Sequence, residues 1–593
     1  MTPPMTSVPF SHPASRRPAA ARPATGRDAA QLPPPGTGFN ARGHFICDAS
    51  LRALTCAPWF GAAGRRTPVT LTIRRCGAPA HADTVRGAFA FDVRFHVPVQ
   101  PDVQPQVPAT GQGARQAGPS AAPGLGGGAG WRLHACSLPL CLHGAQPEPW
   151  REEEPLAPWL WLMSDRALPR SWRMMQGFGT RTLRLRPAPG AAPVFARCHW
   201  LPAAGTHALA ADEAEQLAAA DPQFLQHDLR DALAAQVAPA WTLALQVFSE
   251  RQAALHGIDP QDPGPLLPHD WAPLRTVGRL VLDGGLGAGA PFDGHHPSEG
   301  DEEASAPGLE ACPPPAPRWP EDDLRQARLF WRSQSGTEQQ HLAEACHAAC
   351  AALHDAAARE RLRRRLALVD SALAEPLAAP ADAILLPEFA AEPAPMLSLR
   401  ARPGERSVRL RRVALLLAEG FEPGSLRSLQ RALRLAGARP QCVGLQAGAF
   451  QAEGGGLMLA EASVENSPSV LWDAVVLPAG AAAQAALARS PAVARFVQEQ
   501  YRHGKPILQL GGDHGLLARL GIPPVLPDGR SDPALLRSAD ADSELGRRRL
   551  LRAFLEALAL PRRFDRGPAC PPLPEPPAWA APPLPALPAA AAG

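Results

Sequence analysis

Between residues 39 and 98, and again between 158 and 283, apolar and polar residues alternate with a period of two. Runs such as Val69-Thr70-Leu71-Thr72-Ile73, Phe89–Phe95, Arg181–Leu185, Val194–Trp200, Trp241–Val247 and Val277–Leu282 therefore predict strands. A helix is expected around Ala211–Ala219, opened by acidic residues. From Glu321 to Ala374 the apolar spacing turns helical, with many Arg, Glu and Gln. Beyond residue 407 buried strands alternate with amphipathic helices. Val413–Leu417, Asp473–Pro478 and Pro506–Leu510 are read as strands, and Gly424–Leu435 and Pro491–His503 as helices. That alternation predicts a parallel, doubly wound sheet.

Composition supplies the boundaries. Pro (70) and Gly (51) are abundant and gather in particular stretches, which are read as irregular chain. The expected order is a disordered N-terminal arm (1–38), a first strand-rich part (39–98), a low-complexity insertion (99–157), a second strand-rich part (158–283) and a linker (284–319). A helical domain (320–375), a hinge (376–407), a flavodoxin-like α/β domain (408–567) and a disordered tail (568–593) complete it. The fold class is thus α+β. A net charge of +3 on 593 residues argues against a nucleic-acid groove or a membrane surface. No run of eighteen apolar residues predicts a membrane span. Eleven irregularly spaced cysteines without a secretion signal predict reduced thiols and a cytoplasmic protein. Lys505 is the only lysine and Tyr501 the only tyrosine.

One stretch is far more specific than any of this. Met163-Ser164-Asp165-Arg166-Ala167-Leu168-Pro169-Arg170-Ser171-Trp172-Arg173-Met174-Met175-Gln176-Gly177-Phe178-Gly179 resembles the signature of haem catalases. Ala82-Asp83-Thr84-Val85-Arg86, Phe195–Trp200 with Pro202 and Gly205, and Val277–Leu282 resemble further motifs of that family. Arg328–Trp331, Ser333-Gln334, Glu338-Gln339 and His341 resemble its helical domain. The trailing α/β domain resembles that of the large-subunit members and the class I glutamine-amidotransferase-like, PfpI-type proteins. The resemblance implies an antiparallel β-barrel, haem, hydrogen peroxide as substrate and a homotetramer.

Carried over residue by residue, the resemblance loses its chemistry. The family's distal histidine falls on Asn40, in Phe39-Asn40-Ala41-Arg42-Gly43, and an amide cannot shuttle a proton between peroxide oxygens. Nearby His44 would reach the same spot only after a strand-length shift. The serine that orients the histidine falls on Arg74, and the propionate-pairing arginines fall on Thr37 and Thr72. The proximal tyrosine motif belongs between Leu282 and Arg328, where only a Pro-rich linker stands. Aligning Arg328-Leu329-Phe330 with that motif would put Arg332 at the ligand position, and arginine cannot bind iron. The expectation is a catalase-related chain without ordinary turnover. Two alternatives are a non-catalytic assembly protein and a weak haem peroxidase using a substitute ligand such as His199 or a cysteine.

Other chemistry was weighed against plainer structural roles. Cys346, Cys350 and His354 lie at i, i+4, i+8 with His347 beside them, a weak metal pattern that equally suits buried thiols. His134, Cys136, Cys141 and His143 carry zinc-type ligands without paired spacing. Cys312-Pro313 and Cys570-Pro571 could offer a thiolate, and Asp293, His295 and His296 read as polar linker. In the α/β domain Glu419-Gly420-Phe421-Glu422 resembles an acidic-partner stretch. The elbow where a nucleophilic cysteine belongs reads Leu510-Gly511-Gly512-Asp513-His514-Gly515, so amide or thioester chemistry has no nucleophile.

Overall fold

The computed structural model describes residues 38–76, 80–96, 130–139, 148–151, 154–188, 190–262, 265–285, 308–312, 321–374, 394–512, 515–538 and 544–566. The arm before residue 38 and the tail beyond 566 lie outside them, as do Thr37, Cys141, His143, Asp293, His295, His296, Asp513, His514 and Cys570.

Eight antiparallel strands close into a barrel. They are β1 (Phe39–Cys47), β2 (Arg66–Arg75), β3 (Phe89–His96), β4 (Gly130–Cys136), β5 (Gly177–Gly179), β7 (Val194–Pro202), β8 (Ala240–Phe248) and β9 (Leu274–Gly285). β6 (Leu183–Leu185) and β10 (Leu309–Ala311) extend the sheet beyond β7. Successive side chains point to opposite faces, and the inward set is almost wholly apolar: Ala41, Phe45, Leu71, Ile73, Phe91, Val93, Phe95, Leu133, Trp200 and Trp241 are all buried together. β1 runs so close to β9 that a Cβ on Gly43 would sit 2.1 Å from the Val281 carbonyl oxygen. Only glycine fits there.

Two boundaries need correction. The stretch expected as an insertion (99–157) contains β4, which pairs with β3 along its whole length and with β5 at its end, closing the barrel. The linker (284–319) contains β10, which pairs with β6. In both cases the surrounding Pro- and Gly-rich composition hid a short apolar alternation, here Trp131, Leu133 and Ala135.

Helix α1 (Ala157–Met163) packs with α5 (Glu321–Arg332), α6 (Gly336–Ala352), α7 (Ala356–Val369) and α8 (Ser371–Ala374) around Trp161, Phe330, Leu342, Leu362 and Leu366. α6 starts at a capping box between Ser335 and Glu338. Helices α2 (Ala211–Ala220) and α3 (Phe224–Ala234) follow β7, and the short α4 (Glu250–Leu255) follows β8. Residues 402–405 then cross the barrel: Thr206 N–H donates to the Arg402 carbonyl (3.0 Å) and Glu405 N–H to that of Ala203 (2.7 Å).

The last domain holds a six-stranded parallel sheet in the order β15-β12-β11-β16-β17-β18. Its strands are β11 (Arg412–Leu417), β12 (Arg439–Gly444), β15 (Ala462–Ser463), β16 (Ala474–Leu477), β17 (Ile507–Gln509) and β18 (Leu535–Arg537). Hairpin β13 (Gly448–Gln451)–β14 (Leu457–Ala460) is separate. Helices α9 (Pro423–Leu435), α10 (Ala481–Ala488), α11 (Pro491–Arg502), α12 (Leu516–Arg519) and α13 (Glu544–Ala559) complete this α/β domain. The doubly wound arrangement expected from the alternating pattern is therefore present.

Candidate functional site

Asn40 sits on β1 opposite Thr72 on β2, which faces Asp92 on β3, which faces His134 on β4. Directly paired residues share a face, so these four side chains form one row across the outside of the barrel. Thr72 Oγ1 donates to Asn40 Oδ1 (2.7 Å), His134 Nδ1 bonds Asp92 Oδ1 (2.7 Å), and Arg74 Nε stands 3.6 Å from Asp92 Oδ2. The row is polar and half-buried. Its β1 end carries an amide and a hydroxyl already bonded to each other, neither of which titrates near neutral pH.

His44 points to the same face, four residues and roughly 13 Å further along the strand. Its Nδ1 lies 2.9 Å from Asp283 and its Nε2 2.7 Å from Arg66 Nη2. It is fixed away from Asn40. Tyr501 is in the other domain, on α11, with its ring buried under the Arg566 guanidinium at 4.4 Å. Arg332 ends α5 exposed, and Arg328 is spent on the Leu368 carbonyl.

His199 Nε2 lies 2.9 Å from Gln246 Oε1, while the same amide donates to the carbonyls of Leu267 and Ala272. Gln246 must therefore accept through its oxygen, which makes Nε2 of His199 the protonated nitrogen. Burial pushes this imidazole down to about 3, so it stays neutral at any ordinary pH. Its ring packs edge-on to Phe178.

The other candidates resolve into packing. Cys346 and Cys350 are buried on α6 in the helical core, and burial raises both thiols, Cys350 to about 11. α6 ends at Ala352, where Leu353 turns extended, so His354 leaves the helical face and is exposed. The metal triplet is not assembled. Among the described residues no group of three or more His, Cys, Asp or Glu side chains could hold a metal ion. His134 is engaged with Asp92, and Cys136 lies 4.0 Å from Cys76. Cys312 is buried beside Phe195 and Phe248. Glu419 accepts from the Gln451 backbone N–H (2.8 Å), and Glu422 caps α9 through the Ser425 N–H (2.9 Å).

The signature stretch 163–179 does something sequence reasoning missed. Asp165 holds His341 of α6 (2.8 Å), and Arg166 donates to the Leu397 carbonyl (2.7 Å). Arg170 donates through Nε and Nη2 to both oxygens of Asp473 in the α/β domain (2.9 Å each), and Arg173 clamps Asp228 of α3 (2.8 and 3.0 Å). Arg411 reaches Asp473 at 3.3 Å, and Glu213 of α2 receives Lys505 (2.7 Å) and Arg562 (3.0 Å). All of these charged groups are buried. Arg562 and Lys505 hold Glu213 down to about 2, and Arg170, Arg411 and Arg562 hold Asp473 well below the usual carboxylate range. Only the density of Arg and Asp in the stretch hinted at this role.

Comparisons with known proteins agree with this architecture. Residues 150–286 match the Catalase family, 318–380 the family described as Catalase-related immune-responsive, and 411–523 the DJ-1/PfpI family. Catalase HPII of Pseudomonas aeruginosa is 28% identical over 85% of this chain and 83% of its own. Catalase HPII of Mycobacterium avium is 26% identical (89% and 88%), and Catalase C of Rhizobium meliloti 26% (86% of each).

Proposed function

Starting from a chain whose residues 150–286, 318–380 and 411–523 match the Catalase, Catalase-related immune-responsive and DJ-1/PfpI families, we propose that it has lost peroxide turnover. It persists as a non-catalytic scaffold on a catalase fold. The observation that carries this is the β1–β4 row. Where the family resemblance places a distal imidazole stands the Asn40 amide, tied to Thr72 by a 2.7 Å hydrogen bond. Dismutation needs a group that takes a proton from one peroxide oxygen and returns it to the other, and this pair cannot do that.

The residues do not fit haem either. A ferric haem held in the family's manner needs a phenolate on its proximal side. The single phenol is buried in the α/β domain. Thr72 and Thr37 offer no charge to a propionate. His199, the best nitrogen candidate, donates Nε2–H to Gln246 and keeps its unprotonated Nδ1 buried, with the ring packed edge-on to Phe178. What the chain retains is the frame: Arg170, Arg173, Asp228 and Asp473 join barrel to α/β domain. The reading is an assembly protein descended from an enzyme of hydrogen peroxide breakdown.

Expression of the full chain with a haem precursor, followed by visible spectroscopy and oxygen release from peroxide, tests this. The expected result is no stoichiometric Soret band and no oxygen above a protein-free control. A Soret band together with sustained oxygen evolution would sink it.

A further inference from the structure

The ionic network between barrel and α/β domain is unevenly charged. Arg170, Arg173, Arg411, Arg562 and Lys505 face Asp228, Asp473 and Glu213, and none of the eight side chains is more than 9% exposed. Five cations against three anions leave two positive charges. His207 does not change this. Its Nδ1 accepts from Arg411 Nη2 (3.0 Å), so the ring is neutral. At the rim, Asp212 is occupied by Arg502 and His503, and the half-buried Glu499 lies toward Lys505. Uncompensated charge is expensive in such a place.

A cavity of about 10 Å³ lies where the surplus is, lined by Arg170, His207, Arg411, Asp473 and Arg562 and also by apolar residues that include Leu558 and Leu560. That is room for one particle of about the size of a water molecule. Both oxygens of Asp473 are engaged, by Arg170, Arg411 and the Arg412 backbone N–H. Nε of Arg411 and Nε of Arg562, in contrast, are buried without a hydrogen-bond partner among the described residues. Two lining guanidiniums thus each keep an unused donor in a region of excess positive charge.

We propose that this cavity binds one monatomic anion, chloride being the probe of choice, which ties the barrel, the segment before β11 and the residues after α13 together. Polyatomic anions such as sulfate are too large for it. The inference concerns stability and is independent of whether the chain binds haem.

The test uses the full chain. Its melting temperature is followed while chloride replaces gluconate at constant ionic strength, and crystals grown in bromide are examined by anomalous scattering. Expected are a saturable rise of about 2 °C or more and a bromide peak between Arg411 and Arg562. The saturable part should vanish in Arg411→Gln or, where that variant does not fold, in Arg562→Gln. A melting temperature indifferent to chloride, or a drift that never saturates, with a water and no bromide in the cavity, overturns the proposal.

Discussion

Replacing Asp473 by Asn strikes the centre of the interdomain network. The carboxylate is 1% exposed and accepts from Arg170 twice at 2.9 Å, from Arg411 at 3.3 Å and from the Arg412 N–H at 2.9 Å. An amide keeps one acceptor oxygen but turns an NH2 toward a guanidinium. It also leaves Arg411 as a buried cation with no charge opposite and Arg170 with only its longer 3.5 Å contact to Asp228. Removing one partner of a buried pair typically costs about 3–5 kcal/mol, much of it the stranded charge. Exposed pairs set the baseline: Arg530 with Asp528 is open to solvent, and Arg530→Gln should leave stability unchanged within error. Urea unfolding at pH 7 by tryptophan fluorescence reads both, because Trp472 is buried next to the substituted residue. If Asp473→Asn shifts stability by less than about 1 kcal/mol, the network is ornament and the argument fails.

Further expectations follow from other residues. Glu213 is held at about 2, below its value in an unfolded chain. Between roughly pH 4 and 2 the unfolded state binds the extra proton, so stability contributed by this carboxylate is lost on acidification. Glu213→Gln should weaken that dependence in acid-unfolding curves. Asp83 works in the opposite sense. Burial pushes it up to about 7 although it caps α3 through the Leu225 and Gln226 N–H groups. The fold therefore binds more protons than the unfolded chain between about pH 4 and 7, and stability falls as pH rises. In Asp83→Asn that fall should disappear from a pH series of unfolding midpoints, and its persistence would assign it elsewhere. Gly205 has φ +77°, and a Cβ there would lie 2.2 Å from the Pro403 carbonyl oxygen. Gly205→Ala should cost about 3 kcal/mol or more by unfolding, and a neutral result would show that the crossing segment moves freely. Asn40→His restores an imidazole without a proximal ligand, so an oxygen electrode should still read background.

The barrel strands and the α/β domain were legible because their apolar periodicity is strong. Val194–Trp200 alternates, and Val413–Leu417 is a short continuous apolar run whose length and nearby Gly420 favour a buried strand. β4 was not, because seven residues of alternation are drowned by the flanking Pro and Gly. The segments that hold Asn40 and Thr72 were also readable as strands, and the structure pairs the two residues directly across β1 and β2. The ionic network was invisible for a different reason. Arg170 and Asp473 are 303 positions apart, and nothing local marks either as the other's partner. The metal pattern at Cys346, Cys350 and His354 failed because helix length was assumed, and the chain turns extended one residue before the histidine.

The position of Arg562 and Arg566 in the chain has a consequence for how the protein is made. Glu213 waits for Arg562 as its second cationic partner beside Lys505, and Asp532 and the Tyr501 and Lys505 carbonyls wait for Arg566. Both arginines leave the ribosome after every strand of the barrel and of the parallel sheet. Until then these acceptors lack their arginine donors, and the two large domains can mature side by side without the last ion pairs between them. Closure of the molecule thereby follows synthesis of both sheets, and a ribosome stalled short of residue 562 would release a loosely docked chain for proteases to find.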